Sequence, residues 1–376
     1  MRRKILHVVG GMTRGGVETW LMHVLRSIDR GKFDFHFLVH TAKECAYDKE
    51  IYRLGAKIHR STSVHNPVKY AREFKNLMRG HGPFDVVHSH VFLYSGFLMR
   101  LAQEASVPIR ISHSHTAPKQ KRSSIARRGY ERLMRRWLLE YSTARLGVSA
   151  GAAEALFGKN AGKPLTVLPY GLDFRPFMDS NGGDDVRTRF GIPSTRKVIG
   201  HVGRFVPVKN HAFIAEVFER VIQSEVDAHL LLIGDGDLLG DVQADIESRR
   251  LSDRCTFAGL QSDVAPFLSA MDVFVFPSFH EGTPLSILEA EAAGIPIVVS
   301  PAVPSEMDVV PDLVRRIPLE EGAAAWTAAV IERLENRRVR TGAEARLLER
   351  SRFGMPACIE TLSRMYLGEK MGDLAA

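Results

Sequence analysis

The stretch DVFVFPSFHEGTPLSILEAEAAGIPIVVS, residues 272–300, reads as strand, turn, helix and strand in succession. Its first segment, Asp272 to Ser278, is short, apolar and rich in Val and Phe, the pattern of a parallel strand buried on both faces. Pro284 suits the first turn of a helix, where a missing N–H costs nothing, and Gly294 before Pro296 is a stop signal. Glu281 is then a loop residue just past a strand's carboxyl end, and Glu289, after seven intervening residues, is helical. Ligands of open α/β sheets collect at the carboxyl ends of strands. A carboxylate there meets hydroxyls, while the N–H groups of residues 283 to 285 face an anion. A sugar phosphate presents both. Two glutamates at this spacing also recur by chance as solvated side chains, so the context has to decide.

That context is a repeated α/β pattern. KILHVVG, DFHFLVH, DVVHSH, IRISHSH and ARLGVS read as strands in the first half, and KVIGHVG, HLLLIGDG, RCTFAG and DVFVFP in the second, each set separated by helix-like segments. LPYGLDFRPF (168–177) and the polar run DSNGGDD (179–185) carry linker composition. The expected organisation is a first Rossmann-like domain at 1–168, a linker at 169–186, a second Rossmann-like domain at 187–340, and helices at 341–376, the last from about Pro356. A chain of 376 residues suits two cores better than one.

Outside 272–300, the strand KVIGHVG leads through Gly203 to Arg204 and then to Lys209 at the start of a helix. Gly203 lets the backbone approach a ligand, and two cations beside a helix start suit a diphosphate whose charge grows as it leaves. GGMTRGGVETW (10–20) joins the first strand to the first helix, with Gly15, Gly16 and Glu18 as candidates, but it lacks the glycine spacing and acidic partner of a dinucleotide fingerprint. His88 and His90, and His113 and His115, end two strands of the first domain. They can hydrogen-bond sugar hydroxyls or carry a proton. A metal is not expected there, because each i, i+2 pair lacks an evident third ligand.

These segments resemble family 4 retaining glycosyltransferases of GT-B fold, whose signature runs close to EGFGLxxLEAMAxGxPVV; Thr283 and Pro284 stand where that pattern has an aromatic residue and a glycine. The variant is similar to the exopolysaccharide-biosynthesis branch, and the likeness extends in order from residue 4 to about 335. It implies two Rossmann-like domains facing a central cleft, with a C-terminal helix returning to the first domain. It also implies that the Gly203, Arg204 and Lys209 group holds the donor diphosphate and that the Gly15, Gly16 and Glu18 loop lies near donor phosphate and acceptor. A histidine after the second histidine-bearing strand touches the transferred sugar, His115 being the preferred match, His113 the alternative and His90 a neighbour. Gly259 and Leu260 fall where the family's backbone meets the nucleobase, Gly282, Thr283, Pro284 and Leu285 line the donor, Glu281 positions its sugar, and Glu289 holds the ribose. Asp235-Gly-Asp237 matches the family's G-x-G-x turn rather than a metal-binding D-x-D, so neither metal nor cofactor is expected. Front-face departure of the diphosphate, assisted by domain closure, completes the implied mechanism.

Hydrophobic residues at 45% and charged residues at 25% describe an ordinary globular protein. The apolar stretch after MRRK is broken by Gly10, Gly11 and Arg14, too short for a membrane span or a secretory signal. Cys45, Cys255 and Cys358 have no paired spacing, which points to a reducing cytosol. The net charge of +8 concentrates in residues 119–136, where Lys119, Lys121, Arg122, Arg127, Arg128, Arg132, Arg135 and Arg136 oppose only Glu131. Ile125, Tyr130, Leu133, Met134, Trp137 and Leu138 are interspersed, as in a membrane-surface segment or a solvated helix face, and no nucleic-acid module surrounds them. The expected activity is transfer of a sugar from a nucleotide donor, foremost a UDP-sugar, to a glycan or lipid-linked acceptor in cell-surface polysaccharide synthesis, in the cytoplasm or on the inner face of the plasma membrane. Alternatives are an epimerase-like enzyme of the same architecture and a non-catalytic nucleotide-sugar sensor; a phosphorylase would need a Schiff-base lysine, and none occurs between 210 and 368.

Overall fold

The computed structural model describes residues 2–116, 124–158, 165–178, 182–336 and 339–369. The chain divides into two compact units, Met1–Leu172 with Arg352–Ala376, and Asp173–Ser351. The first division falls inside the expected linker of 169–186. The return to the first unit comes at Arg352, not at 341, because a helix at Ala343–Arg350 buries Ala345 and Leu348 within the second unit.

The first unit runs β1 (Arg3–Val9), α1 (Gly16–Ser27), β2 (Phe33–Val39), α2 (Asp48–Arg53), β3 (Lys57–Arg60), α3 (Pro67–His81), β4 (Val86–Ser89), α4 (Ser95–Glu104), β5 (Ile109–Ser114), α5 (Ile125–Tyr141), β6 (Ala144–Gly147), α6 (Ala150–Phe157) and β7 (Leu165–Val167). The second runs α7 (Gly183–Arg189), β8 (Lys197–Val202), α8 (His211–Gln223), β9 (Ala228–Ile233), α9 (Leu239–Ser248), β10 (Cys255–Gly259), α10 (Ala265–Ser269), β11 (Val273–Phe276), α11 (Leu285–Ala292), β12 (Ile297–Val299), β13 (Val314–Arg316), α12 (Gly322–Glu335) and α13 (Ala343–Arg350). A last helix, α14 (Met355–Leu367), packs on α1 and β1 of the first unit, burying Cys358, Leu362 and Tyr366.

Each unit is a parallel sheet with crossover helices, ordered β3-β2-β1-β4-β5-β6-β7 in the first and β10-β9-β8-β11-β12-β13 in the second. Both orders reverse direction once, at β1/β4 and at β8/β11, and such a switch point leaves a crevice beyond the carboxyl ends of the two strands. The loops leaving β8 and β11 carry residues 203–209 and 277–284; those leaving β1 and β4 carry residues 10–15 and His90. Sheet order thus brings the candidate residues of each unit to one place.

The central strands are legible because both of their faces are covered: β9 and β11 are buried at every position. β3, β7 and β13, which have no counterpart in the strand patterns of the sequence, are edge strands of three or four residues with mixed burial. An edge strand needs no continuous apolar run, so periodicity does not reveal it. In the first unit one face of β1 and β4 buries Leu6, Val8 and Val87 against Phe74, Leu98 and Met99. Alternation turns His7 and His88 to the opposite face.

Candidate functional site

In the second unit, the strand ends at the β8/β11 crevice hold an ion pair. Lys209 donates from Nζ to Glu281 Oε1 at 2.7 Å, with only 14% and 11% of the two side chains exposed. The ammonium also lies 4.4 Å from the centre of the Phe276 ring, a cation–π contact that covers one side of the charge. Lys209 ends a single turn of 3-10 helix, Pro207–Lys209, and does not itself open α8; Asn210 follows in the left-handed conformation (φ 58°) before the helix begins at His211. Two cross-links hold the loop against the one that carries Glu281: Phe279 donates its N–H to the Val208 carbonyl at 2.9 Å, and Asn210 Nδ2 donates to the Pro277 carbonyl at 3.3 Å. The pair is therefore built from both sides before any ligand arrives.

Arg204 stands exposed at the turn after β8. The turn is crowded: a Cβ on Gly203 would lie 2.6 Å from His201 Nε2, and one on Gly234 would lie 2.1 Å from the Gly203 carbonyl. Gly234 and Gly236 have φ of +139° and +156°, so the Asp235-Gly-Asp237 segment is a tight glycine turn packed beneath Arg204. Asp235 Oδ1 is engaged by the Gly236 N–H at 2.8 Å.

Pro284 is the N-cap of α11, and no side chain caps the helix. Of the three N–H donors expected at residues 283 to 285, one does not exist, because proline has no N–H; Thr283 and Leu285 are the donors that this loop offers. Glu289 follows in the second turn, half-buried, and burial, aided by the nearby Asp263 carboxylate, pushes its carboxyl up to about 7. Leu260, just past β10, is 69% exposed, an unusual setting for leucine. Glu291, which the sequence did not single out, is fully buried and accepts N–H bonds from Val309 and Val310 at 3.1 and 3.3 Å. Burial raises its pKa to about 8, and its place is in the packing of the 309–310 loop.

In the first unit, α1 starts at Gly16 with Gly15 as N-cap. Glu18 folds back over that cap: a Cβ on Gly15 would lie 2.3 Å from Glu18 Oε2, so a larger residue there would displace the Glu18 carboxylate. Burial raises the Glu18 carboxyl above its ordinary range, while its own backbone N–H pulls the other way.

Behind this loop lies an array of histidines. His90 Nε2 meets His7 Nδ1 at 3.1 Å, His90 Nδ1 meets His115 Nε2 at 2.8 Å, and His115 Nδ1 meets the Tyr170 hydroxyl at 2.9 Å. Trp20 lies across His90, His113, His115 and Tyr170 at ring-centroid distances of 5.3 to 6.0 Å. His113 is wholly buried, whereas His90 and His115 remain half-buried at the strand ends. Burial holds all of them neutral, His7 and His115 near 3 and His88, His90 and His113 well below the ordinary range. His7 supplies the third imidazole that the i, i+2 pairs lacked: among the described residues, His7, His88 and His90, and also His90, His113 and His115, bring ring nitrogens within 4.8 Å of one another. Only the β1/β4 register, which pairs His7 with His88, reveals it.

Lys119, Lys121 and Arg122 lie outside the described residues. The rest of the basic segment is α5, which exposes Ile125 at 84%, Tyr130 at 44% and Leu133 at 42% beside its arginines. Tyr130, Leu133 and Trp137 join Tyr94 and Phe97 around an apolar cavity of about 670 Å³.

Residues 15–171 match the family described as glycosyl transferase 4-like domain, and residues 184–349 that described as glycosyl transferases group 1. "Putative glycosyltransferase EpsF" of Bacillus subtilis (strain 168) is 33% identical over 334 residues, 88% of this chain and 87% of that protein. The UDP-Gal:alpha-D-GlcNAc-diphosphoundecaprenol alpha-1,3-galactosyltransferase of Escherichia coli is 31% identical over 230 residues, 58% of each chain. Among solved structures, Anabaena Alr3699/HepE in complex with UDP superposes with a TM-score of 0.75 at 16% identity, covering 97% of this chain and 99% of that one. At that identity the likeness speaks for the fold.

Proposed function

The chain belongs to the group 1 glycosyl transferases, with two Rossmann-like domains of the GT-B type, and from that premise we propose that it moves a sugar from a UDP-sugar to a glycan or polyprenyl-linked acceptor with retention of configuration. The Lys209–Glu281 pair carries this reading. A largely covered cation held by a carboxylate at a sheet switch point suits a pyrophosphate whose charge develops as the glycosidic bond breaks. Lys209 and Arg204 take the diphosphate together with the N–H groups of Thr283 and Leu285. Glu281, released in part from Lys209, turns to the hydroxyls of the transferred sugar. Glu289 accepts from the ribose hydroxyls, and Leu260 covers the base. Neutral His115, held by His90 and Tyr170 with His113 beneath, positions the sugar, while Gly15, Gly16 and Glu18 border the acceptor. The leaving phosphate assists deprotonation of the acceptor, and fixed cations serve where other transferases use a divalent ion, so the transfer step needs no cofactor.

The UDP of the structural neighbour and the diphosphoundecaprenol of the galactosyltransferase relative support the choice of donor base and acceptor class. An acceptor on a lipid favours a protein at the inner membrane face. No helix among the described residues is long and apolar enough to cross a membrane, so α5, with arginines beside exposed Ile125, Tyr130 and Leu133, is the proposed contact.

Thermal unfolding in the presence of UDP-, GDP- and ADP-sugars tests the donor, because a ligand that binds only the native state raises the melting temperature. UDP-sugars should stabilise most. Equal indifference to all three series would remove the nucleotide-sugar reading.

A further inference from the structure

Five histidines share one face of the first sheet. β1, β4 and β5 are neighbours, His7 pairs with His88, and His88 with Ile111, so alternation turns His7, His88, His90, His113 and His115 the same way. Hydrogen bonds use only part of their capacity. His88 Nδ1 meets the hydroxyl of Tyr366 on α14 at 3.0 Å, but His88 Nε2 and His7 Nε2 are buried without a partner. Neither nitrogen of His113 has a partner of normal geometry, only an attraction to the Leu168 backbone. Buried polar atoms left in this state are rare and costly, and a cluster of them on one face needs a cause.

The tautomers supply one for His88 Nε2. If His88 Nδ1–H donates to Tyr366, its bare Nε2 lone pair points into the protein. If His115 Nδ1–H donates to Tyr170, His115 Nε2 accepts from His90 Nδ1–H, and His90 Nε2 is also a bare lone pair. That lone pair faces His7 Nδ1 at 3.1 Å. Two nitrogens bound tetrahedrally at about 2.0 to 2.1 Å from one zinc ion lie roughly 3.3 Å apart. The 2.8 Å between His90 and His115 is too short for that and suits a hydrogen bond. Of the two histidine trios, the one with His7 is therefore the ligand set, and His115, Tyr170 and Tyr366 are the outer partners that fix tautomer and ring orientation, as metal-bound histidines require.

We propose that His7 Nδ1, His88 Nε2 and His90 Nε2 form a binding site for a borderline divalent transition ion, of which zinc is the reference. Three imidazoles without thiolate or carboxylate select zinc, cobalt, nickel or copper over magnesium and calcium. The half-buried strand end at His90 and His115 gives access, and a water or small anion completes the shell. Binding locks the direction of the His90–His115–Tyr170 string. The claim concerns binding alone and needs no substrate, so it stands or falls apart from the assignment of sugar transfer.

The test uses the full chain without a histidine tag, freed of metal by chelation, titrated with Zn²⁺ by calorimetry and with Co²⁺ by visible absorption. One equivalent of Co²⁺ should give the intense bands of a four-coordinate nitrogen site, be displaced by Zn²⁺, and raise the melting temperature where Mg²⁺ does not. His88→Gln should weaken Zn²⁺ binding roughly 100-fold or more, since loss of an outer partner alone costs about 10- to 100-fold. His36→Gln, which alters a separate histidine pair with His59, should leave it unchanged. Should His88→Gln fail to fold, proton resonance of the Co²⁺-loaded wild type decides: three shifted, exchangeable imidazole N–H signals are expected. Absence of Co²⁺ and Zn²⁺ uptake, full affinity in folded His88→Gln, or a weak six-coordinate spectrum without those signals would overturn the site.

Discussion

The two units end their central strands in opposite chemistry. At β8/β11 the second unit places a cation and carboxylates, with Lys209 and Glu281 held 2.7 Å apart in a half-closed loop. At β1/β4 the first unit places imidazoles, kept neutral by burial. One topology thus supports two kinds of recognition. Fixed charges suit an anionic leaving group, because they strengthen with its charge. Neutral donors and acceptors suit hydroxyls, which carry the same charge before and after transfer.

Breaking the charged half should have the largest effect. Glu281→Ala should lower kcat about 100- to 1000-fold with an unchanged circular dichroism spectrum, the order found when one preorganised transition-state contact is lost. A folded variant that turns over normally would show that the carboxylate merely neutralises Lys209. Next, Lys209→Met should weaken UDP binding about 10- to 100-fold by calorimetry, as for loss of a charged hydrogen bond, and exposed Arg204→Ala no more than about fivefold. The reverse ranking would move the diphosphate to the rim.

The neutral half should respond less. His115→Ala should cost about tenfold in kcat/KM, a single neutral hydrogen bond. Its pH profile sharpens the contrast: His115 titrates near 3, so it contributes no ionisation around neutrality, whereas Glu289 titrates near 7. Donor affinity should therefore rise from pH 6 to 8 in wild type and in His115→Ala, and be flat in Glu289→Gln. A slope that disappears with His115 instead would assign the titration to the wrong unit.

The smallest effect concerns stability. Glu291 titrates near 8 in the fold against an ordinary 4.5, so the folded chain keeps a proton that the unfolded chain has lost, and stability falls as pH rises through that window. Urea denaturation should show wild type losing stability relative to Glu291→Gln between pH 5 and 8. Parallel curves would mean that the carboxyl is solvated.

The sequence by itself determined the two α/β repeats, because a strand buried on both faces must be apolar along its length, and β9 and β11 are. It also placed Arg204 and Glu281 just past strand ends, Lys209 at a helix start and Glu289 within a helix, since glycine and proline mark where strands stop and helices start. It gave no sign of the role of Glu291: residues two apart point to different sides of a helix, and which side is walled off depends on the 309–310 loop. Nor did it show that Lys209 and Glu281 touch, that Tyr170 and Tyr366 anchor the histidines, or that His7 joins His88 and His90. Those contacts span 55 to 278 residues and exist only once sheet order and register are set. A slip of one residue between β1 and β4 would turn His7 to the far face. Local patterning can say which residues are buried, but the packing of the whole sheet decides which buried residues meet.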